Sequence, residues 1–318
     1  MSPFLVTPPA SPLPVKRAVV FYNPTSGKSQ GSRAAEAVCR GLDSAQWEVL
    51  QVATERAGHA TELAADWGAR VGLIVVAGGD GTLREAAQGL MQAGHHTPLG
   101  VIPQGHGNVI AQEFGVPLEL DAAVTSLGRG EARQVDVLRV NGEVVLAMVG
   151  LGLDARIVRR IDWARHCWGL RGWYRIHGDS LYIAVGVTAL LSSYSTRFRV
   201  TCDGKSVGSG FRHGAVSNTR MYGKGMSLTP GADASDGLLD FALRQRSGFA
   251  SSFQTLLCAK RMIEAPDSLV TAGQGKRILI VAERGLLEWQ ADGDPRPPVE
   301  RLEIEVIPGA FQLWVPPT

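Results

Sequence analysis

Along the first third of the chain, short unbroken apolar runs alternate with stretches of helical period. Leu73-Ile-Val-Val-Ala77 reads as a strand buried on both faces; it breaks at Gly78-Gly79-Asp80-Gly81 and gives way to a helix. In that helix Leu83, Ala86, Ala87, Leu90 and Met91 follow the i, i+3, i+4 rule for one apolar face. Thr82 followed three residues later by Glu85 predicts a capping box at its start. The same unit recurs on either side. Ala18 to Tyr22 precedes a helix carrying Ala34, Ala37, Val38 and Leu42, and Trp47 to Ala53 precedes one through Leu63 and Trp67. Leu99 to Pro103 then leads into a short helix ending at Phe114. Strand–turn–helix units in succession predict a doubly wound parallel sheet with helices on both faces.

After Arg133 the pattern changes to short alternating strands. Gln134–Val140 and Glu143–Val149 flank Asn141-Gly142, a two-residue hairpin signal. Further strands are expected near 197–202, 211–217, 238–243, 277–282, 286–290 and 301–307, with helical stretches over about 155–191 and 247–263. This half reads as antiparallel β, a sandwich or an open barrel. The expected division is a disordered, Pro-rich tail (1–15), an α/β domain (16–133), a β-rich domain (134–307) and a C-terminal segment (308–318), with a return to the N-terminal domain as one option for the last.

Bulk properties narrow the class only modestly. The 318 residues are 45% apolar and 19% charged, with 38 glycines and a net charge of +2, which commits the chain to neither nucleic acid nor membrane. Its four cysteines have no paired spacing, so no zinc site or disulfide framework is expected. The N-terminus lacks the pattern of a signal peptide, and the run Leu181–Leu191 is too short to span a bilayer. The expected location is the cytoplasm.

The chemistry concentrates at the glycine turns. A strand, a glycine turn and a helix N-terminus direct backbone N–H groups at one spot, which suits a phosphate. Asp80 among those glycines makes sense with a cation to bind or a proton to move; a turn carboxylate that caps is the structural alternative. Asn23-Pro-Thr-Ser-Gly-Lys28 has the outline of a Walker A loop, but Tyr22 stands where that motif needs glycine; Lys28 reads either as a phosphate contact or as a solvated loop lysine.

Several motifs then recur in order: Asn23-Pro24 with Ser26-Gly27-Lys28, Thr54 with Gly58-His59-Ala60, Gly78-Gly79-Asp80-Gly81-Thr82, and Pro103 with Gly105 and Asn108. Val149-Gly150-x-Gly152-Leu153-Asp154, Asn218 with Tyr222-Gly-x-Gly225, Pro230-x-Ala232 to Asp236-Gly237-Leu238, and Asp292-Gly293 complete the series. Together they resemble the diacylglycerol kinase catalytic-domain family, bacterial lipid kinases and sphingosine kinases included, over about residues 16–315. The resemblance implies an N-terminal sheet of the NAD kinase/phosphofructokinase type, a C-terminal β-sandwich and ATP-dependent phosphorylation of a lipid hydroxyl between them. It implies nucleotide contacts from Asn23, Lys28 and Thr54, from Gly79, Asp80, Gly81, Thr82, Leu83, Arg84 and Glu85, and from His106 and Asn108. It also implies Mg²⁺ at Asp233, Asp236 and the carbonyl of Leu238, oxygen donors that suit such a cation; a plain turn is the alternative for Asp236-Gly237.

Two residues compete for the base that takes the acceptor hydroxyl's proton. Bacterial members carry Glu at the position of Asp294, which is one methylene shorter; sphingosine kinase-like members use the equivalent of Asp80. His106 replaces the family's usual Thr or Ser, exchanging a hydroxyl for an imidazole.

Arg156 to Arg175 interleaves Arg156, Arg159, Arg160, Arg165, Arg171 and Arg175 with Trp163, Trp168, Trp173 and Tyr174. Such a stretch suits an anionic membrane surface, each charge contributing about 1 kcal/mol near the headgroups. A helix with an apolar core face and a solvated Arg face is the alternative, and no nucleic-acid motif accompanies it. The functional readings are therefore a lipid kinase, a soluble-substrate kinase such as an NAD kinase, or a catalytically altered binding protein. The acceptor and the oligomeric state are not legible in the sequence.

Overall fold

The structure is a computed structural model, and it describes residues 16–24, 30–43, 46–105, 107–167, 196–222, 226–246 and 270–317. The tail 1–15, the apolar run 181–191 and the helical stretch 247–263 lie outside the described residues.

The N-terminal part runs β1 (Arg17–Tyr22), α1 (Gln30–Asp43), β2 (Glu48–Ala53), α2 (His59–Trp67), β3 (Leu73–Gly78), α3 (Asp80–Ala93), β4 (Leu99–Pro103), α4 (Val109–Glu113) and α5 (Leu120–Leu127). The four strands are parallel in the order β2-β1-β3-β4. Side chains alternate along each strand, and the two faces are buried by different helices. Ala18, Val20, Leu73 and Val75 pack with Ala34 and Val38 of α1 and Val124 of α5. Val19, Phe21, Ile74 and Val76 pack with Ala64 of α2 and Leu83, Ala86 and Leu90 of α3. This is the doubly wound sheet expected from the pattern.

The second part runs β5 (Glu131–Val140), β6 (Glu143–Val145), β7 (Met148–Leu151), α6 (Leu153–His166), β8 (Arg197–Cys202), β9 (Lys205–Phe211) and β10 (His213–Ser217). It continues with β11 (Leu239–Arg244), β12 (Thr271–Gly275), β13 (Arg277–Arg284), β14 (Trp289–Ala291), β15 (Asp294–Pro295) and β16 (Arg301–Val315). Strands β12-β11-β10-β7-β14-β15 form an antiparallel sheet of their own. It packs through Val149, Leu151, Val216, Phe241 and Trp289 on Leu138, Phe198, Val200, Ile280 and Ile304, giving a β-sandwich core.

The long strand β16 joins the two parts. Its first half pairs antiparallel with β13, and its far end pairs parallel with β4 at Leu313 opposite Leu99. One layer of the sandwich is therefore continuous with the parallel sheet. The register against β5 shifts between Ile307 and Phe311, so Pro308-Gly309 bends the strand instead of ending it.

Two local expectations need correction. Asn141 and Gly142 do form the hairpin, with φ of 47° and 90°, but β6 is only three residues long. Leu146 leaves the first sheet and β7 enters the second, because the amides at 146–148 are claimed by a buried carboxylate described below. The capping box at Thr82 is also absent. Helix α3 begins at Asp80 with Gly79 as N-cap, and Thr82 N–H and Leu83 N–H both donate to Gly79 O. Extended Gly79 supplies the first helical acceptor three residues before a Thr82 cap would act.

Candidate active site

The carboxyl ends of β1, β2, β3 and β4 lie along one edge, since Tyr22 is level with Ala53 and Ala77, and Gly78 with Pro103. Ligands of open parallel sheets bind outside such an edge. Asn23, Thr54, Gly79 and Asn108 follow these ends directly or within a turn. Thr54 is buried there, its amide donating to Tyr22 O at 2.8 Å. Lys28 and His106 lie outside the described residues.

The two glycine loops touch. A Cβ added to Gly105 would sit 2.8 Å from Gly79 Cα, so these backbones approach at a distance only glycine permits. Asn108, at φ 46°, ties its own loop with two bonds to Gly105, accepting from its N–H and donating to its carbonyl, each at 2.8 Å. Asp80 ties the loops together. Its Oδ2 accepts from Val109 N–H at 3.0 Å and its Oδ1 from Ile110 N–H at 3.1 Å. Burial pushes its pKa up, and these amides oppose that rise. Asp80 thus caps, but it caps α4, the neighbouring helix, and not its own. Gly81, in the first turn of α3, differs from the loop glycines: a Cβ there would meet nothing within 4 Å. Thr82 and Glu85 lie in the opening turns of α3, where Glu85 O accepts from Thr61 Oγ at 3.0 Å. Leu83 is fully buried and faces the core.

Opposite α3 stands the turn between β14 and β15. Asp292 and Gly293 adopt φ of 49° and 84°, which turns the chain tightly and projects Asp294 beyond it. Asp292 is the buried carboxylate that redirects the backbone after β6: it accepts from the amides of Leu146, Ala147 and Met148 at 2.9, 2.8 and 3.1 Å. Burial pushes its pKa up, while Arg84 at 3.8 Å and those amides hold it down. Arg84 reaches further from α3. Its Nη2 donates to Asp294 Oδ2 at 2.8 Å and its Nη1 to Ala291 O at 3.4 Å. Arg296, bonded to Glu143, lies 3.8 Å from the same Asp294 oxygen, Oδ2. The fold therefore brings Asp294 against the helix that follows the glycine turn, with its side chain 49% exposed.

The loop before β11 carries the residues singled out for a cation. Asp233 Oδ1 accepts from the N–H and hydroxyl of Ser235, and Asp236 Oδ1 from Leu238 N–H at 2.8 Å. The loop is anchored by buried Asp136, which accepts from Gly237 N–H and Gly309 N–H at 2.7 Å each. Asp233 and Asp236 are exposed, each with one oxygen committed by these bonds, and their oxygen donors fit a hard cation. Among the described residues no group of three or more His, Cys, Asp or Glu side chains gathers at one point.

Comparison with known proteins shows the family and the fold. The model of the diacylglycerol kinase catalytic domain matches residues 17–140, and that of the YegS C-terminal NAD kinase beta sandwich-like domain matches residues 147–315. The chain belongs to the diacylglycerol kinase family. It is 28% identical to a diacylglycerol kinase of Bacillus subtilis over 88% of this chain and 90% of that one. Likeness to a diacylglycerol kinase of Mycobacterium tuberculosis is 28% over 95% and 96%, and to a probable YegS-like lipid kinase of Pseudomonas aeruginosa 27% over 91% and 92%. Among solved structures, a putative diacylglycerol kinase from Bacillus anthracis superposes with a TM-score of 0.77, at 23% identity, covering 95% of this chain and 97% of that one; this likeness concerns the fold. The family is one of kinases acting on lipids.

Within this family member, the Arg/Trp stretch is partly turned inward. Arg156 pairs with Glu288, and Arg159 donates to Arg296 O at 3.0 Å, so both guanidiniums hold the β14–β15 hairpin. Trp163, on the same helix, is 64% exposed. The Arg165 side chain and Trp168, Arg171, Trp173, Tyr174 and Arg175 lie outside the described residues. No helix among the described residues is long and apolar enough to cross a membrane.

Sequence reasoning missed three residues around the turn that carries Asp294. Arg296 and Gln290 carry no local signal. Asp154 belongs to the glycine motif Gly150–Asp154, but its partner Gln290 is 136 positions away.

Proposed function

We propose that this chain is an ATP-dependent lipid kinase that transfers the γ-phosphate to a lipid hydroxyl between the α3 N-terminus and the β14–β15 turn. The observation that carries the reading is the arrival of Asp294 beside α3, at the carboxyl edge of the parallel sheet. Phosphoryl transfer needs positioned phosphates, charge neutralisation and a group to orient the attacking hydroxyl. The α3 N-terminus, open-sided Gly81 and the touching loops at Gly79 and Gly105 suit the phosphates; Asn23, Thr54 and Asn108 border the same edge, and the family resemblance adds Lys28 and His106 as nucleotide contacts. Asp294 takes the role of base, being the more exposed of the two candidates, whereas both Asp80 oxygens are held by amides of α4. Asp80 then keeps the two phosphate loops in register.

Asp233, Asp236 and the Leu238 carbonyl are the donors for Mg²⁺, which when bound would add positive charge to that loop. The acceptor arrives from an anionic membrane surface in the cytoplasm, approached through the α6 side of the protein.

The test is transfer of labelled phosphate from ATP with Mg²⁺ to diacylglycerol, a sphingoid base and ceramide in mixed micelles, with NAD as a soluble acceptor. Labelled lipid is expected, and the class labelled names the acceptor. Labelled NADP would place the chain with soluble-substrate kinases. ATP binding without any product would establish a non-catalytic binding protein.

A further inference from the structure

The segment Gly150-x-Gly152-Leu153-Asp154 has no part in the chemistry above, yet it closes around Gln290. Asp154 is the second residue of α6, and its Oδ2 accepts from Gln290 Nε2 at 2.7 Å. The opposite end of the same amide, Oε1, accepts from Gly293 N–H at 2.7 Å. A backbone N–H can only face the oxygen of the amide, so Gln290 has one orientation and its NH₂ is directed at Asp154. Residue 154 must therefore present an acceptor. Gly150, level with Gln290 in the β7–β14 register, makes the room: a Cβ there would lie 1.5 Å from Asp154 Oδ2 and 2.6 Å from Gln290 Nε2.

Packing does not account for a carboxyl in this place. Gln290 is 1% exposed, and burial drives the Asp154 pKa up to about 6. An apolar side chain of similar size would fill the space without that desolvation. What the carboxyl holds is the Gly293 peptide, which sits at φ 84° between Asp292 and Asp294. We propose that Asp154 is a positioning residue for Asp294: through Gln290 it fixes the Gly293 peptide, and with it the direction in which the Asp294 carboxylate leaves the turn. The catalytic part of this inference rests on the phosphotransfer reading; the structural part does not.

Asp154→Leu removes the acceptor at similar volume, and Asp154→Asn keeps a carbonyl oxygen for Gln290. Each is compared with the wild type by kcat and KM for ATP, and by hydrogen–deuterium exchange of the peptide spanning 288–296. The Leu variant is expected to lose about 10-fold or more in kcat, with KM for ATP unchanged and faster exchange across the turn, as a displaced reacting group predicts. The Asn variant is expected to restore most of both. If Asp154→Leu does not fold, Gln290→Met removes the same bridge and is held to the same criteria. Equal loss in the Leu and Asn variants, a change confined to KM, or unaltered exchange at the turn would overturn the proposal. A wild type without kinase activity would refute the phosphotransfer reading alone, because the exchange experiment still decides whether Asp154 orders the turn.

Discussion

Arg84 Nη2 lies 2.8 Å from Asp294 Oδ2, although 210 positions separate the two residues. The contact joins the helix after the glycine turn to the turn that projects the candidate base. Each partner belongs to a different part of the chain, and the pair sets the width of the space between them.

Arg84→Ala should therefore lower kcat by about 10- to 100-fold, the range expected when a reacting group loses its orientation. It also leaves buried Asp292 without its nearest cation. The stability loss should be about 1–3 kcal/mol, between the values for exposed and buried pairs. Steady-state kinetics and urea unfolding measure the two effects separately; a change in stability alone would make Arg84 a structural tie.

Asp294→Asn should reduce turnover by about 10²- to 10⁴-fold, the contribution of a positioned general base. Its side chain is half exposed, so the thermal midpoint should hardly move. Retained turnover would shift the role to Asp80.

The glycines predict opposite outcomes. Gly105→Ala forces a Cβ to within 2.8 Å of Gly79 Cα and should destabilise the fold by about 1–3 kcal/mol. Gly81→Ala meets nothing within 4 Å and lies in a helix, so stability should rise by up to about 1 kcal/mol. If phosphates sit against the α3 N-terminus, the same Gly81→Ala protein should bind ATP more weakly by calorimetry. Unchanged affinity would move the nucleotide elsewhere.

Two buried groups pull the pH dependence of stability in opposite directions. Asp154 holds its proton to about pH 6, above the ordinary carboxylate range, so its contribution to stability falls as pH rises from about 4 to 6. His213 is pushed down to about 4, by burial first and then by Arg244, so its contribution is lost as pH falls from about 6.5 to 4. Asp80 and Asp292 act in the sense of Asp154, but equally in wild type and variant. Asp154→Asn should accordingly gain on the wild type as pH rises from 4.5 to 7.5 in urea unfolding. Parallel curves would show that Asp154 is not a buried acid.

Trp163 is the exposed aromatic of α6, and Trp163→Ala should weaken sedimentation with anionic phosphatidylglycerol vesicles while leaving the melting temperature in place. Equal binding by both proteins would remove this helix from the membrane-facing side.

Much of this architecture was legible from local pattern. The parallel units show in apolar runs that end at glycine turns, and the Asn141-Gly142 hairpin in its turn residues, because both signals depend on neighbours within a few positions. Helix starts were less legible. Thr82 and Glu85 have the residue types of a capping box, yet Gly79 begins the helix earlier through its backbone alone. From the sequence Asp80 reads as a carboxylate that binds a cation, moves a proton or caps its turn; its amide partners belong to α4, which local pattern does not show.

By itself, the sequence determined the doubly wound sheet, the change to antiparallel strands, the glycine loops and the family. Only the tertiary structure decided that β16 would stitch the two parts into one sheet, and that Asp292 would take the amides after β6. It alone set Arg84 against Asp294 and Asp154 against Gln290. The reason is physical: periodicity and turn chemistry act over a few residues, whereas these contacts join side chains 136 and 210 positions apart, and such pairs form only once strand order and register have placed them.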